Sequence, residues 1–182
     1  MPQTPDVILV VDDNEMNRDM LSRRLERHGY ETATAENGRR ALEMLQVQAF
    51  DLVLLDIMMP LMNGYELLEH IKKDPRLRHL PVIMISAMDD LDSVIKCIEM
   101  GAEDYLFKPF NTVLLKARIS ASLEKKHLHD ALTSGGNPDV QKLVEAARRD
   151  VAALRENGSA PEDALTQIEN TLRQALQLLD KA

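Results

Sequence analysis

A doubly wound α/β domain built on a five-stranded parallel sheet, followed by a C-terminal α-helical hairpin, is the fold class this 182-residue chain predicts. Three observations predict it. Up to about residue 130, short apolar runs of strand length alternate five times with amphipathic stretches of helical period. Four runs, VILVVDD (Val7 to Asp13), LVLLD (Leu52 to Asp56), VIMIS (Val82 to Ser86) and YLFKP (Tyr105 to Pro109), read as buried strands that end on polar residues. Beyond a Thr133-Ser134-Gly135-Gly136-Asn137-Pro138 junction, two apolar seams recur at three- and four-residue steps.

The elements follow in order. Val7–Val11 is the first strand, and in Asn14–His28 the residues Met16, Met20, Leu21 and Leu25 fall near helical spacing, with Gly29 as the stop. Residues 31–35 (ETATA) form a more polar strand, as a sheet edge requires, and Asn37-Gly38 turns the chain into a helix over Arg39–Gln46. Leu52–Asp56 is the most apolar strand and therefore central. Asn63-Gly64 precedes a helix over Tyr65–Lys72, which Asp74-Pro75 breaks. Val82–Ser86 is the fourth strand, and Asp90–Met100 is a helix closed by Gly101. Asp104–Phe107 is the fifth strand, and a long helix starts at Thr112 with Thr112 or Asn111 as N-cap. The domain is expected over 1–132, a linker over 133–138, and the hairpin over 139–182. The hairpin seams are Val140, Leu143, Ala147, Val151 and Leu154, then Leu165, Ile168, Leu172, Ala175 and Leu179, separated by Asn157-Gly158-Ser159-Ala160-Pro161. Two helices alone bury too little to be stable, so they are expected to pack on the first domain or build a homodimer.

The chemistry lies in the strand ends. In an open parallel sheet the carboxyl ends converge on one edge, where ligands bind. That edge would gather Asp12, Asp13, Asp56, Ser86 and Lys108: three carboxylates, a hydroxyl and an ammonium. Clustered carboxylates repel one another, and a hard divalent cation relieves this while accepting phosphoryl oxygens. Asp56 is the candidate nucleophile for an acyl phosphate. Lys108 is a point charge for Asp56 at rest and for a phosphoryl oxygen afterwards. Alone, each has a plain alternative: a solvated strand-end acid, an N-cap for the helix at Asn14, an exposed lysine. The loop Asp12-Asp13-Asn14-Glu15 would repel a phosphate without a metal, which disfavours a flavin or dinucleotide.

Composition narrows the rest. The net charge of −8 argues against a nucleic-acid surface dominated by phosphate contacts, and the hairpin, with six Lys/Arg against eight Asp/Glu, suits DNA reading poorly. Aromatic residues are 3% with no Trp, so the core is aliphatic. The one cysteine, Cys97, reads as a core hydrophobe among Val94, Ile95 and Ile98 in a reducing compartment. The N-terminal stretch is neither a signal peptide nor a span, so no membrane contact and a cytoplasmic location are expected. His127, His129 and the pairs Arg23-Arg24, Lys72-Lys73 and Lys125-Lys126 read as solvated helix faces.

VVDDNEMNR, LLDIMMPLMNGYELL, MISA and YLFKPF together resemble the receiver domain of two-component response regulators, over roughly residues 5–125. The resemblance implies a flavodoxin-like sheet of order 2-1-3-4-5. It implies Asp56 as phosphoacceptor. It implies Mg2+ (or Mn2+) held by Asp13, Asp56 and the backbone carbonyl of Met58, with Asp12 acting largely through water. Ser86, the Ala87 backbone and Lys108 would bind the phosphoryl group, and a Lys108–Pro109 cis bond is expected. Ser86 and an inward-turning Tyr105 would reset the face made by the fourth helix, fifth strand and fifth helix. The donor would be a sensor histidine kinase or a histidine phosphotransfer protein, and the output a downstream protein target or a dimer. The chain would then be a phosphoacceptor switch and not an enzyme. Met58 and Met88 stand where relatives tune phosphoryl loss, and being apolar they predict a long-lived phosphorylated state. Three alternatives stand beside this reading: a scaffold that never takes phosphate, the front of a longer cyclase or diguanylate cyclase, and an engineered fusion.

Overall fold

A computed structural model describes residues 5–87 and 90–134. Five parallel strands, β1 (Val7–Val11), β2 (Glu31–Ala35), β3 (Leu52–Asp56), β4 (Val82–Ser86) and β5 (Asp104–Phe107), form one sheet of order β2-β1-β3-β4-β5. Five helices connect and follow them: α1 (Glu15–Glu26), α2 (Gly38–Val47), α3 (Gly64–Lys73), α4 (Leu91–Glu99) and α5 (Thr112–Ser134). This is the doubly wound fold expected. The predicted hairpin lies outside the described residues. The chain divides into two compact units, Met1–Lys126 and His127–Ala182; of the second, only the end of α5 is described. Thr133 and Ser134 are helical, so the expected linker does not begin at residue 133.

Period-two alternation splits each central strand between two cores. Leu9, Val11, Val53, Leu55, Val82 and Met84 pack against Ala41, Leu45, Leu67, Leu68, Ile71 and Cys97 of α2, α3 and α4. Ile8, Val10, Leu52, Leu54, Ile83 and Ile85 face the other way, against Leu21, Leu25, Leu115, Ile119 and Leu123 of α1 and α5. The ETATA strand is indeed an edge, paired only to β1. Gly29 and Gly101 end α1 and α4 with φ of +88° and +95°, a region that costs other residues strain.

Side-chain caps set where helices begin. Asn14 itself caps α1, accepting from Asn17 N at 3.2 Å, so neither Asp12 nor Asp13 does so. Asn63 and Glu66 form a reciprocal capping box at α3. Asn111 Oδ1 accepts from Val113 N at 2.7 Å, at the start of α5. Met16 and Met20 correct the expectation for α1: both are exposed, and the helix buries Leu21, Ser22 and Leu25 instead. Spacing alone could not separate the flank from the buried stripe in a helix this polar.

Candidate functional site

The parallel register brings the strand ends side by side. Val11 sits opposite Leu55, Asp56 opposite Ile85, and Ser86 opposite Phe107. Three carboxylates, Asp12, Asp13 and Asp56, place one oxygen each within 4.8 Å of one another. Asp12 and Asp56 are buried, and Asp13 is exposed at the mouth. Lys108 reaches in from beyond β5, its backbone N–H donating to Ser86 O at 2.8 Å. Its ammonium lies 2.7 Å from Asp12 Oδ2 and 3.3 Å from Asp56 Oδ1. The Lys108–Pro109 bond is cis.

The shorter Lys108 contact is to Asp12, where Asp56 was the expected partner. Asp12 is further fixed by Asn14 N at 2.9 Å and by Asn17 Nδ2, 3.2 Å from each carboxylate oxygen. Arg18 Nη1 donates to the carbonyls of Asp12 and Asp13 at 2.7 and 3.0 Å. Sequence reasoning missed Asn17 and Arg18. Their signal lies in helical spacing, since the first turn of α1 rises directly behind the acidic loop.

Electrostatics follow from crowding. Burial pushes the Asp56 carboxyl up to about 6; Lys108 pulls it down, and Asp12 and Asp13 push it up again. Burial disfavours the Lys108 ammonium, but hydrogen bonding and attraction from Asp12 and Asp56 outweigh that and hold it above its ordinary value. Asp56 is therefore ionised at neutral pH yet poorly compensated. The donors are all oxygen, carry excess negative charge and sit at one edge, so the residues present fit a hard cation such as Mg2+ or Mn2+.

On the far side of β4, Ser86 is fully buried and Tyr105, on the neighbouring β5, is 7% exposed. Tyr105 is thus turned inward. Ala87 is exposed beside Ser86. Met58 is 65% exposed in the loop after β3, while Met88 lies outside the described residues. Gly64 has a local cause: a Cβ there would collide with the Asp56 carbonyl, and Gly64 N donates to Ile57 O at 2.9 Å. The start of α3 is therefore pressed against the strand that carries Asp56.

Two lysines read as solvated are not. Lys72 is half-buried and donates to Arg78 O at 3.1 Å and Leu80 O at 2.8 Å. The Lys126 side chain is 17% exposed and pairs with Asp51 Oδ1 at 3.0 Å.

An open parallel sheet whose carboxyl edge holds an acid triad, a lysine and a hydroxyl defines a doubly wound α/β protein with a cation-fitted anionic pocket. The family model for the response regulator receiver domain matches residues 8–120, and the chain belongs to that family, a component of two-component signalling. It is 42% identical over 125 residues to the response regulator PleD of Caulobacter vibrioides, covering 69% of this chain and 28% of that protein. A probable transcriptional regulator ycf27 of Cyanophora paradoxa is 40% identical over 148 residues, 79% of this chain and 61% of that one. Among solved structures, a CheY-like receiver domain protein of Methanospirillum hungatei gives a TM-score of 0.65 at 30% identity, covering 69% of this chain and 98% of its own. The chain spans less than a third of PleD and less than two thirds of ycf27. Among the described residues, no helix is long and apolar enough to cross a membrane.

Proposed function

We propose that Asp56 accepts a phosphoryl group from the phosphohistidine of a sensor histidine kinase or histidine phosphotransfer protein. A carboxylate oxygen of Asp56 attacks phosphorus, the P–N bond breaks, and the bonding pair returns to the imidazole nitrogen. The observation that carries this reading is the gathering of Asp12, Asp13, Asp56 and Lys108 at one sheet edge. With a pKa of about 6, Asp56 is ionised at pH 7 and nucleophilic. Asp13, Asp56 and the Met58 carbonyl would hold Mg2+ or Mn2+, and Asp12, oriented by Asn14, Asn17 and Lys108, would act through water. When bound, the cation neutralises the charge that collects on the phosphoryl oxygens. Lys108, the Ser86 hydroxyl and the Ala87 backbone N–H receive those oxygens. Met58 offers an attacking water neither donor nor base, so the acyl phosphate is long-lived.

Ser86 and Tyr105 convert the event into a packing change of α4, β5 and α5. Leu91, Ile95, Ile98 and Phe107 are exposed on α4 and β5 and form an apolar surface for a second copy or a downstream protein. The domain over 1–132 acts as a switch, the segment 139–182, whose sequence predicts a hairpin, as output or dimerisation element, and the location is cytoplasmic. A second reading has its own support. PleD and a probable cyclic di-GMP phosphodiesterase of Vibrio cholerae, 41% identical over 125 residues, match this chain over only 28% of their lengths. The matched segment is thus a minor part of longer signalling proteins, one of them named as an enzyme, and on this reading the chain regulates such a partner in cis or in trans. Acetyl phosphate with Mg2+ tests the core claim: intact mass should rise by one phosphoryl group in the wild type. Lys108→Ala should uncouple phosphorylation from any change in α4. An unchanged wild-type mass would overturn the assignment.

A further inference from the structure

We propose that Tyr65 is a positioning residue of the switch, which with Lys96 and Cys97 ties α3 to α4 in the arrangement that receives Tyr105 turned inward. The proposal rests on the reading of Asp56, Ser86 and Tyr105 given above and extends it to a helix that reading leaves idle.

Tyr65 directly follows Gly64, whose backbone is pressed against the Asp56 carbonyl. Its placement is therefore set by the strand end that carries the phosphoacceptor. The Lys96 ammonium stands 4.0 Å from the centroid of the Tyr65 ring. The Tyr65 hydroxyl also stands beside the thiol of Cys97, which is fully buried. Cys97 and Tyr105 belong to one buried cluster, and Tyr65 packs against it. Tyr105 lies on β5, paired with β4, which ends on the buried Ser86. The contacts close a ring: Asp56 strand end, α3, α4, Tyr105, Ser86, and back to the pocket.

The ring matters because α4 holds on weakly. Its buried residues are Ser93 and Cys97, while Leu91, Ile95 and Ile98 face outward. Helices with few buried side chains occupy the low-stability end of a fold and open locally. For such a helix, one ammonium–ring contact and the seating of Tyr65 against Cys97 are a large share of what holds it. Tyr65 and Lys96 thus set how readily α4 accepts the inward Tyr105.

Hydrogen–deuterium exchange across 91–99, with and without Mg2+ and beryllofluoride, tests this on the full chain. Tyr65→Phe keeps the ring and drops the hydroxyl beside the thiol; Lys96→Gln keeps that hydroxyl and drops the cation. Each should speed exchange over 91–99 by about two- to fivefold and shrink the protection that beryllofluoride confers. In a Tyr105→Ala background, Tyr65→Phe should no longer alter that protection, which a merely structural role would not explain. Wild-type exchange in both variants, or an undiminished Tyr65→Phe effect in the Tyr105→Ala background, would overturn the proposal. Intact mass after acetyl phosphate separates the two claims, since Tyr65→Phe should still gain one phosphoryl group. Should the wild type gain none, the reading of Asp56 fails on its own, and resting exchange in the variants still decides the role of Tyr65.

Discussion

The two edges of the sheet both gather charge, but they balance it in opposite ways. At the carboxyl edge, among the described residues, three carboxylates crowd together and two of them, Asp12 and Asp56, share Lys108, leaving Asp56 with a pKa of about 6. At the amino edge the charges come in pairs. Asp51 accepts from Val7 N at 2.9 Å and from Lys126 at 3.0 Å, Glu103 pairs with Lys125 at 2.8 Å, and Asp104 with Arg118 at 2.7 Å. Paired groups stabilise or are neutral, whereas crowded like charges cost stability unless something arrives to balance them. The amino edge is built to stay as it is, and the carboxyl edge is built to receive a cation.

The largest break in this contrast is Asp56→Asn. It should abolish the mass gain from acetyl phosphate while leaving the fold intact by circular dichroism. It should also stabilise the protein. The folded carboxyl has its pKa raised from 3.8 to about 6, so the folded state holds the proton more tightly and wild-type stability falls as pH rises through that window. Chemical denaturation at pH 7 should show Asp56→Asn more stable by about 1–3 kcal/mol. The gain should shrink as pH falls from 6 and vanish by about pH 3, where both states of the wild type are protonated. A constant gain at all pH values would mean that crowding is not its cause.

Mg2+ sharpens the same contrast without a mutation. A cation that binds only the folded state adds about 2.7 kcal/mol at a hundred times its Kd. Thermal melts at pH 7 should therefore rise with Mg2+ and fall back with a chelator, and Asp13→Asn should blunt the rise. Asp51→Asn, at the other edge, should leave the Mg2+ response untouched while lowering stability by about 1–2 kcal/mol. The loss has a plain cause, since the largely buried Lys126 then loses its ion pair with Asp51. Equal Mg2+ responses in Asp13→Asn and the wild type would place the cation elsewhere.

The two edges also differed in how far the sequence disclosed them. The carboxyl edge was legible because each polar residue there interrupts an apolar run: Asp12 after Val11, Asp56 after Leu55, Ser86 after Ile85, Lys108 after Phe107. Parallel strands of similar length must bring such residues to one edge, so position along the chain translates into position in space. The amino edge carries no such mark. Lys72 and Lys126 sit in helices where every turn holds charge, and only the return of the loop at Leu80 or the packing of α5 over Asp51 buries them. Asn17, Arg18 and Tyr65 stayed hidden for the same reason, since helical period names a face and not its neighbour. Exposed Met16 and Met20 show the converse error, because apolar spacing near the edge of a stripe does not guarantee burial.

The smallest expected effect probes Lys72, at the amino end of the sheet. Among the described residues it has no carboxylate within ion-pair distance, and its ammonium leans on the carbonyls of Arg78 and Leu80. Burial pushes it down to about 8, with Glu103 opposing and Lys125 adding to the shift. Because the folded pKa lies below the unfolded 10.5, the unfolded chain binds more protons between pH 8 and 10.5, and stability should rise with pH across that window. The two carbonyl bonds favour the charged form and trim the effect to about 1–2 kcal/mol. Lys72→Met keeps the aliphatic stem over Gly101 and removes the titrating group. Urea denaturation of wild type and variant at pH 7.5 and 10 should show the wild type gaining on the variant as pH rises. If the difference between them stays flat, the carbonyl acceptors fully compensate burial, and Lys72 belongs with the balanced pairs.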